Sequence, residues 1–171
     1  MNYLYNHGHK FTDQSMLDYI RTLREKIGNT RIIVPGIRAL IFNGEKELLL
    51  QKQRHFGSWA LPHGCIDVGE SAYDALIREV QEETGLLVSR ARPFGLYTDP
   101  KYSIVYPNGD EVQTFTVAFE VTEWSGVPVI DDDEVDELDF FALDKLPDPF
   151  YRIHMDTVID YKNGATSFIL K

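Results

Sequence analysis

The chain has 171 residues, of which 43% are hydrophobic and 26% are charged, so it is long enough for one domain with a sizeable core. Its net charge of −10 argues against duplex nucleic acid as a partner, because that partner needs a basic surface, but it does not exclude small nucleotides. No apolar run approaches the ~20 residues that cross a bilayer, so we expect no membrane partner.

Two features of the sequence predict a cytoplasmic location: the composition of its first ten residues and its single cysteine. Residues Met1 to Lys10 are polar and aromatic and lack the apolar stretch of a secretory signal. Cys65 is the only cysteine, so the chain cannot form an intrachain disulfide, as is usual in a reducing compartment. We expect this thiol to pack rather than to act as a nucleophile, which would need a paired base.

An amphipathic helix is predicted ahead of the first strand. Thr12 or Asp13 can cap it, and Gly28 with Asn29 can end it. Its apolar positions recur at helical spacing: Met16, Leu17, Ile20, Leu23 and Ile27. We therefore expect residues 1–30 to be a helical extension that packs on a domain of residues 31–171.

The rest of the chain alternates strand, turn and helix signals. Alternating or β-branched segments predict strands at Arg31–Val34, Gly36–Phe42, Glu47–Gln53, Leu86–Tyr97, Val112–Glu123 and Glu137–Leu143. Residues 43–46 predict a hairpin turn, and residues 61–64 predict a loop. Helices are predicted from the Ser71 cap to Thr84 and over Phe150–Tyr161, with Phe168–Leu170 as a packed tail. This order predicts a mixed sheet between helices, in the α/β or α+β class.

Three carboxylates share one side of the helix that follows Ser71. At ~100° per residue, Glu79, Glu82 and Glu83 fall within one arc beside apolar positions. Like charges at this spacing oppose helix formation unless something compensates them. A divalent cation with oxygen ligands is one compensation, and a solvated acidic face is the alternative.

The segment around these carboxylates resembles the signature of the Nudix hydrolase family, G-x5-E-x7-R-E-U-x-E-E-x-G-U, where U is aliphatic. All seven fixed positions and both aliphatic positions match, at Gly64, Glu70, Arg78, Glu79, Val80, Glu82, Glu83, Gly85 and Leu86. The preceding Trp59-Ala60-Leu61-Pro62 resembles the usual lead-in, and the similarity extends over roughly Ile32 to Pro147, with a MutT-like character. The resemblance implies the Nudix fold, an α/β/α sandwich with a mixed β-sheet.

The same resemblance implies a metal site and an activity. Glu79, Glu82 and Glu83 would hold Mg²⁺, or Mn²⁺ as a substitute, with the Gly64 backbone reaching the metal. Arg78 would orient a neighbouring glutamate. The reaction implied is hydrolysis of a phosphoanhydride in a nucleoside diphosphate linked to another moiety. Either Glu82 or Glu79 would accept the proton of the attacking water.

The resemblance also implies that Glu70 supports the geometry of the loop and helix. Glu70 is in addition a candidate substrate-binding residue. Other charged residues near the signature have two interpretations each. Glu134 is a further metal ligand or part of a solvated turn, and His63 contacts the substrate or is a tolerated loop residue. Lys52 and Arg54 bind phosphate or are surface charges. Arg38 lies on a strand among apolar residues, so it should face a cleft or an interface and is a substrate-binding candidate.

Aromatic residues offer candidates for stacking on a nucleobase, although each of them could instead belong to the core or its rim. They are Phe56, Trp59, Tyr97, Tyr102 and Tyr106. On the last helix, side chains that close the substrate cleft or simply pack are Phe150, Tyr151, His154 and Met155.

Three functions compete. A hydrolase would act on nucleoside triphosphates and oxidised nucleotides or on ADP-ribose and nucleotide sugars. A non-catalytic nucleotide sensor on the same fold often loses a metal-binding glutamate, whereas this chain retains all of them. An isoprenoid isomerase needs a catalytic cysteine, for which Cys65 is poorly placed. The sequence leaves the oligomeric state open, and a homodimer is one candidate because many relatives of this kind are dimers.

Overall fold

A computed structural model describes residues 15–130 and 134–171. Three α-helices lie in these ranges, namely α1 (Met16–Ile27), α2 (Ala72–Thr84) and α3 (Arg152–Lys162). The strands there are β1 (Ile32–Ile41), β2 (Leu48–Gln53), β3 (Trp59–Ala60), β4 (His63–Cys65), β5 (Leu87–Tyr97), β6 (Ser103–Val105), β7 (Glu111–Ser125), β8 (Val135–Phe141) and β9 (Ile169–Leu170). None of the described helices is both long enough and apolar enough to cross a membrane.

The strands form two sheets, and the larger one is mixed as predicted. Its order is β4-β1-β7-β5-β9, and β6 also pairs with β7. Strands β1 and β7 are parallel, as are β5 and β9, whereas the other pairs are antiparallel. The smaller sheet has the order β3-β2-β8.

Because side chains alternate along β1, the larger sheet packs against a helix on each of its two faces. Ile37, Ala39 and Ile41 pack in one apolar cluster with Leu76 and other residues of α2. Leu40 points the other way, into a cluster that includes residues of α3. Each large side chain buried in this way contributes about 1.5–3 kcal/mol to stability. The predicted α/β/α sandwich is confirmed.

Strand pairing differs from the prediction around β1. The separate strands predicted at Arg31–Val34 and Gly36–Phe42 are one strand, because pairing with β7 runs through Pro35. The carbonyl of Pro35 still accepts a hydrogen bond from the Ile66 N–H at 3.2 Å. The predicted hairpin of β1 and β2 is also wrong, since these strands belong to different sheets and meet only at the Phe42–Leu48 bridge. The turn itself forms, with the Asn43 side chain accepting backbone N–H groups.

The helix ends follow local capping chemistry. Ser15 caps α1 by accepting the Asp18 N–H, whereas the predicted caps Thr12 and Asp13 lie outside the described residues. Ser71 caps α2 as predicted, and Gly85 ends it in the left-handed conformation. Helix α3 begins two residues later than predicted, because Phe150 is bridged to Trp59 and the backbone of Tyr151 is extended.

Short strands appear where the sequence predicts loops or no element. Strand β4 occupies part of the predicted loop and pairs with β1, placing His63 opposite Arg38 and Gly64 opposite Ile37. The two-residue strands β3 and β9 and the three-residue strand β6 are too short to show an alternating pattern. Strand β4 matters for function, since it places the start of the signature segment on the sheet.

Candidate active site

A cavity of about 560 Å³ lies beside the middle of the larger sheet. Neighbouring residues of three paired strands contribute to its floor, including Gly36, Cys65 and Thr116. The acidic residues of α2 form one wall, and the first residues of α1 and α3 contribute to others. The volume falls within the range of roughly 300–1,000 Å³ that holds small organic ligands.

Arg78 connects the acidic side chains of the signature. Its Nε and Nη2 each donate to Glu70 at 2.8 Å, and Nη1 donates to Glu79 at 2.8 Å and to Glu82 at 3.1 Å. Nη2 also donates to the backbone carbonyl of Cys65 at 3.0 Å. The hydrogen bond with Glu70 raises the pKa of Arg78 and lowers the pKa of Glu70, so both groups stay charged. Arg78 therefore fixes the loop after β4 to α2.

The carboxyl group of Glu79 lies directly against Gly64. A Cβ atom added to Gly64 would lie 1.9 Å from the Glu79 Cδ atom, so any larger residue at this position would displace the Glu79 carboxyl group. Burial raises the pKa of Glu79 to about 7, and the charges of Glu82 and Glu70 act in the same direction, whereas Arg78 opposes them. The strand-to-helix contact thus creates a carboxyl group that ionises near neutral pH.

Glu83 points into the protein rather than into solvent. It is 6% exposed, and it accepts hydrogen bonds from Gln51 Nε2 at 2.6 Å and from the backbone N–H of His63 at 2.8 Å. These contacts join α2 to β2 and β4. By contrast, the side chain of Glu82 is 54% exposed and lies at the open side of the cavity.

The oxygen atoms that line the cavity are of the kind that binds a hard divalent cation. Glu79, Glu82, Glu83, Gly64 and Glu134 all line the cavity, and carboxylate and carbonyl oxygens are the ligands that Mg²⁺ prefers. Burial disfavours the ionised form of Glu79, which a nearby cation would favour. Within residues 15–130 and 134–171, no three acidic, histidine or cysteine side chains already converge on one metal position. Arg78, Gln51 and the His63 N–H hold the glutamates instead.

Three of the predicted substrate-binding cations lie away from the cavity lining. Lys52 pairs with Glu137 at 2.6 Å, and Arg54 pairs with Asp136 at 2.7 Å. Arg38 is fully buried, so it faces neither of the two predicted surroundings, an open cleft or an exposed interface. Its Nη1 donates to the Ile153 carbonyl at 2.6 Å, and its guanidinium lies 4.7 Å from the Tyr97 ring centre.

His63 does line the cavity, together with a second histidine that sequence reasoning treated only as a cleft or packing residue. The rings of His63 and His154 are 4.7 Å apart in an edge-to-face arrangement. Burial, assisted by the charge of Arg38, lowers the pKa of His63 to about 4. Burial also lowers the pKa of His154 well below its usual range, so both imidazoles are neutral at pH 7.

Two further cavity residues were missed. The sequence predicts Gln53 only as the end of a strand, and the contact of its amide with the ring of His63 at 3.2 Å depends on β4. Asp67 lies in the loop between Gly64 and Glu70 and accepts the Met16 N–H at 2.6 Å. Its position inside the signature loop was enough to mark it as a candidate. Its hydrogen-bond partner could not be predicted from local spacing, because Met16 lies 51 residues away in sequence.

Comparison with known proteins identifies similar chains. The family model described as NUDIX domain matches residues 33–161. Over 130 residues the chain is 30% identical to a Bacillus subtilis (strain 168) protein provisionally named 8-oxo-dGTP diphosphatase, covering 76% of this chain and 80% of that protein. It is also 30% identical over 134 residues to the ADP-ribose pyrophosphatase of Methanocaldococcus jannaschii, covering 75% of each.

A solved structure supports the same similarity. The crystal structure of the MutT NUDIX hydrolase from Burkholderia pseudomallei superposes with a TM-score of 0.64 at 26% sequence identity. The superposition covers 75% of this chain and 97% of that protein.

Proposed function

The chain belongs to the NUDIX domain family, and we propose that it is a Mg²⁺-dependent pyrophosphohydrolase of nucleoside diphosphate derivatives. The observation that carries this proposal is the set of contacts around Arg78, which holds Glu79 and Glu82 in one wall of a ligand-sized cavity and ties them to Glu70. The retention of all three glutamates of the metal site favours catalysis over a non-catalytic nucleotide-binding module.

The residues proposed to hold the metal are the cavity-lining oxygen donors: Glu79, Glu82, Glu83, the Gly64 backbone and, from another wall, Glu134. A bound Mg²⁺, or Mn²⁺ in its place, would neutralise charge on the diphosphate and lower the pKa of a bound water. Glu83 already ties α2 to β4 through the His63 N–H, so it keeps the two elements in register at the site.

Glu82 is the base that we favour. It is the most exposed of the three glutamates, and Arg78 donates to it, which orients the carboxylate. Glu79 is the alternative base, because its pKa of about 7 also suits proton transfer near neutral pH. Glu70 acts through Arg78, which it holds with two hydrogen bonds.

The proposal names a class of substrate and not a single compound. The two relatives described above share the same level of identity and carry names for different nucleotide substrates, so similarity alone favours neither 8-oxo-dGTP nor ADP-ribose. The cytoplasmic location, the homodimer and the division into an extension of residues 1–30 and a domain of residues 31–171 also stay predictions.

Hydrolysis with matched variants tests the proposal. The purified protein is incubated with Mg²⁺ and a panel of ADP-ribose, nucleotide sugars, nucleoside triphosphates and 8-oxo-dGTP, and products are separated by anion-exchange chromatography. We expect Glu82→Gln to lower kcat by at least ~100-fold, because the base is lost. Its thermal midpoint should be unchanged or higher, since repulsion between carboxylates is relieved. Glu25→Gln, an exposed helical replacement on α1, is the control and should keep full activity.

Two outcomes contradict the proposal. Full hydrolysis in the presence of a chelator would rule out the metal-dependent mechanism. A parallel loss of activity and of thermal stability in Glu82→Gln would mean that the side chain is needed for folding rather than for proton transfer.

A further inference from the structure

Glu83 differs from the other two glutamates of α2 in the residues that hold it. Those two accept hydrogen bonds from Arg78, at 2.8 and 3.1 Å. Glu83 instead accepts one hydrogen bond at each carboxylate oxygen, Oε1 from Gln51 Nε2 at 2.6 Å and Oε2 from the His63 N–H at 2.8 Å. Because Gln51 lies on β2 and His63 on β4, strands of two different sheets fix the orientation of this carboxylate.

Gln51 is a buried amide that directly follows three buried leucines. Leu48, Leu49 and Leu50 are fully buried, and Gln51 is 1% exposed. Burial of an amide is unfavourable unless the amide is hydrogen-bonded, so a fourth leucine would suit this part of β2 better if the position served packing alone. Glu83 also fixes which way the amide points, because a carboxylate accepts hydrogen bonds and would repel the amide oxygen. The contact with Glu83 therefore accounts for a polar residue at this position.

The donors to Glu83 are uncharged, in contrast to Arg78. A guanidinium that binds a carboxylate neutralises part of its charge and competes with a cation for it. An amide N–H and a backbone N–H orient the carboxylate without adding a positive charge. The His63 ring, whose Nδ1 lies 3.9 Å from Glu83 Oε1, is uncharged at pH 7 because burial lowers its pKa to about 4. These neighbours leave the negative charge of Glu83 available to a cation in the cavity.

Strand β2 also holds the segment that brings Glu134 to the cavity. The backbone N–H of Arg54, directly after β2, donates to the Glu134 carbonyl at 2.9 Å. Strand β8, which begins one residue after Glu134, pairs with β2. Through its hydrogen bond with Glu83, Gln51 therefore links α2 to the same strand that holds Glu134.

We propose that Gln51 is a positioning residue for the cation site, because it holds Glu83 in the orientation that binds the metal and leaves the carboxylate its negative charge. Gln51 does not belong to the cavity lining, so it acts through Glu83 and does not touch the substrate. Hydrogen bonds to metal ligands typically change metal affinity by about 10- to 100-fold. This inference rests on the proposed function in assuming that Glu83 is a metal ligand.

Binding of Mn²⁺ to the substrate-free protein tests the inference without depending on hydrolysis. Electron paramagnetic resonance measures free Mn²⁺ in titrations of the wild type and the variants. Gln51→Leu keeps a side chain of similar size but removes the donor, so the Kd for Mn²⁺ should rise by at least ~10-fold. Gln113→Leu is the matched control and should leave the Kd unchanged. Gln113 is half-buried, donates to the Thr98 carbonyl at 3.1 Å and lies outside the cavity lining.

A second variant tests whether the donor has to be uncharged. In Gln51→Lys the side chain can still donate to Glu83, but it adds a positive charge beside the carboxylate. The Kd for Mn²⁺ should therefore rise by at least ~10-fold in this variant as well. A residue that only supported the fold would instead be replaced by the lysine donor without loss of Mn²⁺ affinity.

The metal dependence of hydrolysis gives an independent measurement. The Mg²⁺ concentration that half-activates Gln51→Leu should rise by at least ~10-fold, whereas kcat should recover at saturating Mg²⁺, because Gln51 does not touch the substrate. A folding defect would lower kcat at every Mg²⁺ concentration. Circular dichroism identifies any variant that fails to fold, and Gln51→Lys provides the test if Gln51→Leu does so.

Failure of this inference is distinguishable from failure of the proposed function. Wild-type Mn²⁺ affinity in both Gln51 variants, or an equal loss in Gln113→Leu, would overturn the inference alone when diphosphates are still hydrolysed. If the Gln51 variants lose Mn²⁺ affinity but the wild type hydrolyses no diphosphate compound, the positioning role stands and the proposed enzyme activity is wrong. If the wild type binds no Mn²⁺, both are wrong.

Discussion

Glu79 is the residue whose protonation depends most clearly on the fold. Its carboxyl group ionises near pH 4.5 in a solvated chain, whereas burial against Gly64 raises its pKa to about 7 in the folded protein. Between these two pH values the folded state keeps a proton that the unfolded state has lost. Stability from this group is therefore present below pH 4.5 and falls as pH rises toward 7 in the absence of metal.

Replacement of Glu79 by glutamine tests this dependence. In the presence of a chelator at pH 8, Glu79→Gln should raise the thermal midpoint by at least ~2 °C, because the buried charge is gone. At pH 4.5 the wild-type carboxyl group is protonated as well, so the difference should largely vanish. Differential scanning calorimetry at the two pH values measures both quantities. An equal shift at both would mean that packing, not ionisation, controls the effect.

Sequence reasoning at this scale succeeds for residues whose relation is local. The spacing of Arg78, Glu79 and Glu82 on one helix places their side chains together, as the hydrogen bonds show. Arg38 shows the limit. Its strand position was predicted, but α3 covers it through a contact with Ile153, which lies 115 residues away in sequence. No local pattern contains that contact.

Among the elements, α1 makes a direct contact with the signature loop. The Met16 N–H at the start of α1 donates to Asp67, and the Asp67 N–H donates to Glu70 at 3.0 Å. Glu70 in turn holds Arg78. A continuous chain of hydrogen bonds therefore runs from the first turn of α1 to the guanidinium that orients the acids.

Removal of the Asp67 carboxylate tests whether this contact supports the site. Asp67→Ala should lower the thermal midpoint by roughly 2–4 °C, as for the loss of about 1 kcal/mol. It should also lower kcat/KM, because Glu70 loses the ordered loop beside it. Asp144→Ala, at an exposed loop position, is the control and should change neither value. If kcat/KM stays unchanged in Asp67→Ala, the contact serves stability alone.

The elements themselves were predicted best where caps and periodicity agree. The bounds of α2 follow from Ser71 and Gly85, and both caps form. Sheet membership was not predictable in this way. Asn43 determines the turn between β1 and β2, but β1 pairs with β7 and β2 with β8, so strands much later in the chain decide which sheet each one joins.

For the molecule as a whole, the net charge is −10, so a bound cation should stabilise the folded state in addition to its role in catalysis. A ligand that binds only the folded state at 100 times its Kd stabilises that state by about 2.7 kcal/mol. For a chain of this length, the thermal midpoint should then rise by roughly 5–10 °C with saturating Mg²⁺. Scanning calorimetry with Mg²⁺, with Na⁺ at equal ionic strength and with chelator measures the effect.

Glu82→Gln should reduce the Mg²⁺-dependent rise, whereas the Glu25→Gln control should not. A rise that Na⁺ reproduces in full would instead indicate general screening of the acidic surface and not a specific ion site.

The walls of the cavity come from different stretches of the chain. Most of the acids belong to α2 and the loop before it, and Glu134 directly precedes β8, whereas Phe56 lies on a short surface loop and His154 at the start of α3. The acidic wall and the other walls therefore belong to segments that can diverge separately. After gene duplication, replacements in the Phe56 loop would reshape one wall of the cavity and leave the acidic residues of α2 unchanged.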